Sequence, residues 1–194
     1  MPFRFAENGP MCRRTVALHE CAHAVAVVHL GWYALAEPGV SIAPCPHPLG
    51  IVTGQVGVRP RRPFRALSRR GLRLQLRRAV LTILAGPARS RLEHPDEPAE
   101  EFLEDSGSLV DIQQSLALLT SFHDDDKERA DQDLVRLFRQ AGDLVAAPPV
   151  GPAIEDLAMI LLRRESLSAE EAAVTIRRLL FRHAPMPDRE ALAA

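Results

Sequence analysis

His19, Glu20 and His23 have the types and spacing for metal-assisted hydrolysis. They belong to His19-Glu20-Cys21-Ala22-His23, an H-E-x-x-H motif within a stretch that reads as helix. Two histidines four apart on a helix lie ~40° apart around the axis and ~6 Å apart along it. Both imidazoles can then reach one ion, and tetrahedral Zn2+ accepts neutral nitrogen ligands. Glu20, beside the first ligand, can take a proton from an attacking water and later pass it to a leaving amine. Two ligands and a general base thus point to hydrolysis of a peptide bond. A core helix with two separately satisfied histidines would use the same letters. Burying two His and a Glu together without a metal is, however, costly.

A helix must hold these groups. Thr15 to Leu30 is helix-compatible, Gly31 closes it, and Val16, Val27 and Val28 supply apolar surface. Cys21 lies two residues from each His, points to another face and reads as a small buried residue. Val40-Ser41-Ile42-Ala43 and Gly50 to Val56 read as two short strands, separated by Pro44, Pro46 and Pro48. Arg59 to Arg78 holds nine Arg and no acid, with leucines interleaved, and much of it reads as helix. That helix continues to Gly86, where Pro87 is placed to bend it. Glu93 to Asp105 holds seven acids and reads as a surface loop, expected to oppose the arginine-rich face. Further helices are expected over Leu109–Ser121, Asp126–Gln140, Ala153–Arg164 and Ser168–His183. Ala147 to Pro152 breaks the second of these from the third. Ser168 with Glu171 makes a capping box. Trp32 and Tyr33 are expected in core or rim packing.

Composition bounds the rest. The chain has 194 residues, 46% hydrophobic and 25% charged, enough for one domain with a real core. Its net charge of −1 supplies no global attraction to nucleic acid or membrane, so neither is an expected partner. No apolar run approaches the ~20 residues that span a bilayer. Residues 1–11 do not resemble a signal peptide, and three Cys without a spacing pattern suggest a reducing compartment. A cytoplasmic location is therefore expected. Of 24 basic residues only Lys127 is not Arg.

A catalytic zinc usually takes three protein ligands and a water. From the residues alone, Asp105, Asp111, Glu93, His94 and His47 all remain candidates for the third. Thr15 to Ala26 resembles the motif helix of the FtsH-type ATP-dependent zinc metalloproteases, peptidase family M41, which write H-E-A-G-H-A. Later blocks match in the same order. Val40-Ser41-Ile42-Ala43-Pro44 with Leu49-Gly50 is similar to V-S-I-x-P…L-G. Leu84-Ala85-Gly86-Pro87-Ala88 is similar to L-A-G-R-A, and Ser106 to Asp111 to T-G-A-S-N-D. Leu157 to Leu162 with Glu165 to Ser168 is similar to the family's closing L-A-x-x-L-L…E-T-L helices.

The resemblance runs from about Arg13 to Leu180. It implies Asp111 as third ligand beside His19 and His23, with Glu20 as catalytic base. It implies a mainly α, bundle-like zinc peptidase domain at 13–184, carrying a small two-stranded β element near the active site. Residues 1–12 read as a lead-in and 185–194 as a flexible tail. It further implies that an extended substrate adds beside a strand edge, at Val40, Ser41, Ile42 and Ala43 or on the following strand. The departures are Cys21 and Ala22 in the motif, Pro87 for Arg, the acidic loop, and no ATPase module or membrane anchor in the sequence. The expected substrate is therefore a flexible or unfolded polypeptide, with room for a separate ATPase or unfoldase partner and for a homo-oligomer. Three other readings stay open: a non-catalytic binding or regulatory protein on the same fold, a zincin with a Glu or His as third ligand, and a nucleic-acid binder using the arginine-rich stretch.

Overall fold

The computed structural model describes residues 13–46, 52–61, 68–93 and 108–185. The motif helix α1, Arg13–Leu30, is the centre of the fold. After Glu20 it carries no charge but its histidines, and residues from Ala17 to Val27 are buried on most of its faces. A helix apolar nearly all round is stable only inside other elements, and α1 packs against the sheet and three other helices. It ends at Gly31, whose φ of +68° suits glycine and whose N–H returns to the Val27 carbonyl at 3.2 Å.

Two strands follow, β1 (Tyr33–Pro46) and β2 (Val52–Pro60), paired antiparallel from Tyr33↔Pro60 to Pro46↔Val52. β1 begins seven residues earlier than the expected Val40, because Trp32 and Leu35 are buried there as well. Ser68 accepts from the Gly71 N–H at 3.2 Å and opens α2, Arg69–Arg91. The arginine-rich stretch is therefore split: Arg59 belongs to β2 and the helix begins only at Arg69. Pro87 does not end α2; it removes one helical donor, leaving the Ile83 carbonyl without its i+4 partner.

The remaining helices are α3 (Leu109–Phe122), α4 (Lys127–Ala146), α5 (Val150–Arg164) and α6 (Ala169–Arg182). α4 runs six residues past the expected Gln140, since Ala141 and Val145 keep its buried face going. α5 starts three residues early and takes Pro152 into its first turn, where a missing N–H costs little. The Ser168–Glu171 capping box is formed, with Glu171 N–H to Ser168 Oγ at 3.3 Å and Ser168 N–H to Glu171 Oε2 at 3.1 Å.

Between α5 and α6 lies β3, Ser166–Leu167, which pairs with Ser41 and Val40. The sheet thus has three strands, in the order β2-β1-β3, rather than the expected two. Gly39 permits the close approach: its φ is +86°, and a Cβ there would collide with the Leu167 carbonyl. The core gathers Leu18 and Val25 of α1 with Leu84, Phe138, Ile154, Leu157, Leu161 and Ile176. The architecture is therefore predominantly helical with a minor β element. Among the described residues no single helix is long and apolar enough to cross a membrane. The bent pair α4–α5 is apolar enough only jointly, and its apolar face is the core itself.

Candidate metal centre

α1 and α2 lie side by side and antiparallel at the motif. His19 Nδ1 meets Ser90 Oγ at 3.1 Å, and His23 Nδ1 meets the Thr82 carbonyl at 2.9 Å. Thr82, Gly86 and Ser90 are themselves four apart, so one face of α2 answers the i, i+4 histidine pair of α1. Gly86 stands opposite the imidazoles. A Cβ on Gly86 would collide with His23 Nε2 and come 2.6 Å from His19 Nε2. Only a residue without a side chain leaves that space.

These contacts set the tautomers. The Thr82 carbonyl can only accept, so His23 carries a proton on Nδ1. The Ser90 hydroxyl donates to the Gly86 carbonyl at 3.2 Å, so towards His19 Nδ1 it acts as acceptor. When both imidazoles are neutral, the two Nε2 atoms are thereby left with lone pairs directed at one another, 3.1 Å apart. Asp111 Oδ2 closes the triangle at 3.2 Å from His19 Nε2 and 3.5 Å from His23 Nε2. With the imidazoles neutral, three donor atoms face one point, an arrangement that can hold a cation. Ligands ~2.0–2.1 Å from a tetrahedral zinc stand ~3.3 Å from each other, which these three separations match. Histidine ligands held through their second nitrogen by a carbonyl or hydroxyl are the usual arrangement at protein zinc sites. The residues therefore fit a His-His-Asp metal site of zincin type.

Asp111 comes from the third position of α3, where the positive end of the helix favours a carboxylate. Burial opposes its ionisation, but the imidazoles of His23 and His19 outweigh burial and hold the carboxyl well below the usual range. Burial likewise works against a charge on His23. The carboxylate of Asp111, the charge of Glu20 and the Thr82 carbonyl overcome it and push the imidazole up to about 9. Glu20 is 7% exposed, and burial raises its pKa despite the opposing imidazoles. Among the described residues its carboxylate has no hydrogen-bond partner, and it opens onto the cleft beside the histidines. A buried carboxylate tuned upward, with no hydrogen-bond partner among the described residues, is suited to exchange a proton.

The cleft encloses about 300 Å3 between α1, the first turns of α3, α2 and β2. Gly54 of β2 lies directly on Glu20: a Cβ there would come 2.9 Å from Glu20 Cδ and 2.7 Å from the Ser41 carbonyl. Val56, Val58, Ile83 and Val110 supply apolar walls.

The structure brings His19, Glu20, His23 and Asp111 together. Val40, Ser41, Ile42 and Ala43 do not line the cleft. They sit on the central strand, where Val40 and Ser41 pair on both sides and Ile42 N–H bonds the Glu165 carbonyl at 2.9 Å. Among the described residues, Val40 and Ser41 therefore present no free edge. Among the described residues the open edge beside the cleft belongs to β2, the other strand the sequence offered. Glu93 lies outside the cluster and accepts from Thr15 Oγ1 at 3.3 Å. His47, His94, Asp105 and most of the acidic loop fall outside the described residues. Cys21 is fully buried, and burial raises its thiol well above the ordinary value, so it offers no thiolate. Sequence reasoning missed Gly54, Thr82, Gly86 and Ser90 as site residues. The four-residue spacing of the last three was the one signal available.

Fold and site together define a class: a mainly helical domain with an H-E-x-x-H…Asp arrangement that fits a metal centre of zincin type. Compared with known proteins, the sequence matches no family model and no curated protein.

Proposed function

We propose that this protein is a zinc-dependent metallopeptidase that hydrolyses peptide bonds of unfolded or flexible polypeptides, of the M41 kind its motifs resemble. One observation carries the reading: two Nε2 lone pairs and the Asp111 carboxylate converge at 3.1–3.5 Å, with both Nδ1 atoms already committed. Zinc bound there would polarise a substrate carbonyl and ease the loss of a proton from water. Glu20 accepts a proton from the attacking water as its oxygen adds to the carbonyl carbon. It then delivers that proton to the nitrogen as the C–N bond breaks, leaving a carboxylate and an amine. The β2 edge offers backbone groups to an extended chain, a mode of pairing that tolerates many sequences. A cleft of about 300 Å3 accommodates an extended segment rather than a folded domain. Folded substrates would accordingly need a separate unfoldase. On the same reading the protein acts in the cytoplasm, on polypeptides and not on nucleic acid or membranes.

The decisive experiment joins metal analysis to digestion of an unfolded protein. The wild type should hold about one zinc per chain and cut the substrate. Glu20→Gln should keep the zinc and lose turnover by ~10²-fold or more. Asp111→Ala should lose both. A Glu20→Gln variant that digests at the wild-type rate excludes Glu20 as base. A zinc-loaded wild type that cuts nothing would instead favour a binding or regulatory protein on this fold.

A further inference from the structure

A second cleft adjoins the first. It encloses about 440 Å3 between the last turns of α1, the Tyr33 end of the β1–β2 pair, and α6, and Val27 lines both clefts. Arg59, Arg61 and Arg177 line it. Among the described residues neither Arg59 nor Arg177 has an acid within ion-pair distance, and Arg61 is held only through Nε, by the Tyr33 carbonyl at 3.0 Å. Two acids share the cleft. Glu37 is committed to the Ala169 N–H at 3.3 Å, and Glu170 sits in the first turn of α6, where the helix end offsets its charge. The balance favours an anion. The floor is aliphatic: Leu35 is buried, and Val28 and Ala173 are half-buried. Apolar contact area beside guanidinium groups suits a peptide segment better than a small inorganic anion.

Its position ties it to the catalytic cleft. β2 passes Glu20 at Gly54, supplies Val56 and Val58 to the first cleft, and reaches the second at Arg59. Five residues of strand cover ~17 Å. We propose that the second cleft is an exosite for acidic side chains of a polypeptide substrate, about five residues from the bond that is cut. This rests on the peptidase reading for the name of its ligand, not for the binding itself.

The test uses two fluorescein-labelled peptides, identical except for a Glu-Glu or Gln-Gln pair five residues from a central apolar segment. Fluorescence anisotropy on the Glu20→Gln protein reads binding without turnover. The acidic peptide should bind about fivefold more tightly at low salt, as expected of two exposed ion pairs, with the gap narrowing as salt rises. The Arg59→Gln/Arg177→Gln double variant should abolish the gap with its circular dichroism unchanged. Should the double variant unfold, Arg177→Gln alone, on an exposed helix face, carries the test. Equal affinities in the parent protein, or a gap that survives the arginine substitutions, would overturn the exosite. So would a short single-stranded RNA that outcompetes the acidic peptide at equal charge, which would reassign the cleft to nucleic acid. Failure of the wild type to cut either peptide, with the binding gap intact, would overturn the peptidase reading and leave the exosite standing.

Discussion

Ser90 shows how much a residue that touches no substrate can decide. Its hydroxyl gives its proton to the Gly86 carbonyl and so has only a lone pair to offer His19. That forces the His19 proton onto Nδ1 and frees Nε2. Ser90→Ala removes the acceptor while keeping the helix. Zinc affinity should fall ~10- to 100-fold, the usual effect of deleting such a partner, with little change in melting temperature. Competition with a chromogenic chelator measures this directly, and an unchanged affinity would show that His19 is oriented by packing alone. His23, held by a backbone carbonyl, has no equivalent substitution, which makes Ser90 the informative position.

Among the elements, α2 is the one that sets the room in front of the two imidazoles. Its four-residue ladder places an acceptor, a gap and an acceptor against α1. The gap is Gly86, where any Cβ would occupy the space in front of both imidazoles. Gly86→Ala should therefore abolish zinc binding, although alanine is the better helix former by ~1 kcal/mol and α2 itself should persist. Zinc content beside far-UV circular dichroism tests the pair of expectations. A variant that retains stoichiometric zinc would place the ion away from the Nε2 triangle. β2 has a comparable role through Gly54, which lets the strand lie against Glu20 and keeps the strand edge beside its carboxylate.

At the scale of the whole molecule, metal and fold are linked through protons. In the metal-free protein His23 has its pKa raised from 6.5 to about 9. The sign follows: the protonated imidazole contributes stability fully below pH 6.5, and that contribution fades as pH rises through about 9. Zinc must displace this proton, so apparent zinc affinity should rise by about tenfold per pH unit between 6.5 and 9 and then level off. Chelated protein should melt progressively lower across the same interval, and added zinc should restore the melting temperature by mass action. Thermal melts with and without chelator at several pH values check both. A zinc affinity flat between pH 6.5 and 9 would remove His23 from the ligand set.

What could be read along the chain is what neighbouring residues impose on each other. The i, i+4 histidines with Glu20 between them, the glycine stop at Gly31, the Ser168 capping box and the predominance of helix all follow from contacts a few residues apart. Asp111 stands 92 residues from His19. It was selected from several acids only by resemblance, because no local rule ties a first-turn carboxylate to a distant helix. Thr82, Gly86 and Ser90 matter only relative to α1, and their spacing has meaning once two helices lie antiparallel. β3 is two residues long, too short to show alternation, and exists because Leu167 is buried against Val40. That same pairing closes the second side of β1 and leaves the open edge to β2. Local periodicity makes the elements and the chemistry of the motif helix. Long-range packing chooses the carboxylate that joins the two histidines, the hydroxyl and carbonyl that orient them, and the strand left with an open edge, because each depends on which surfaces meet across the core.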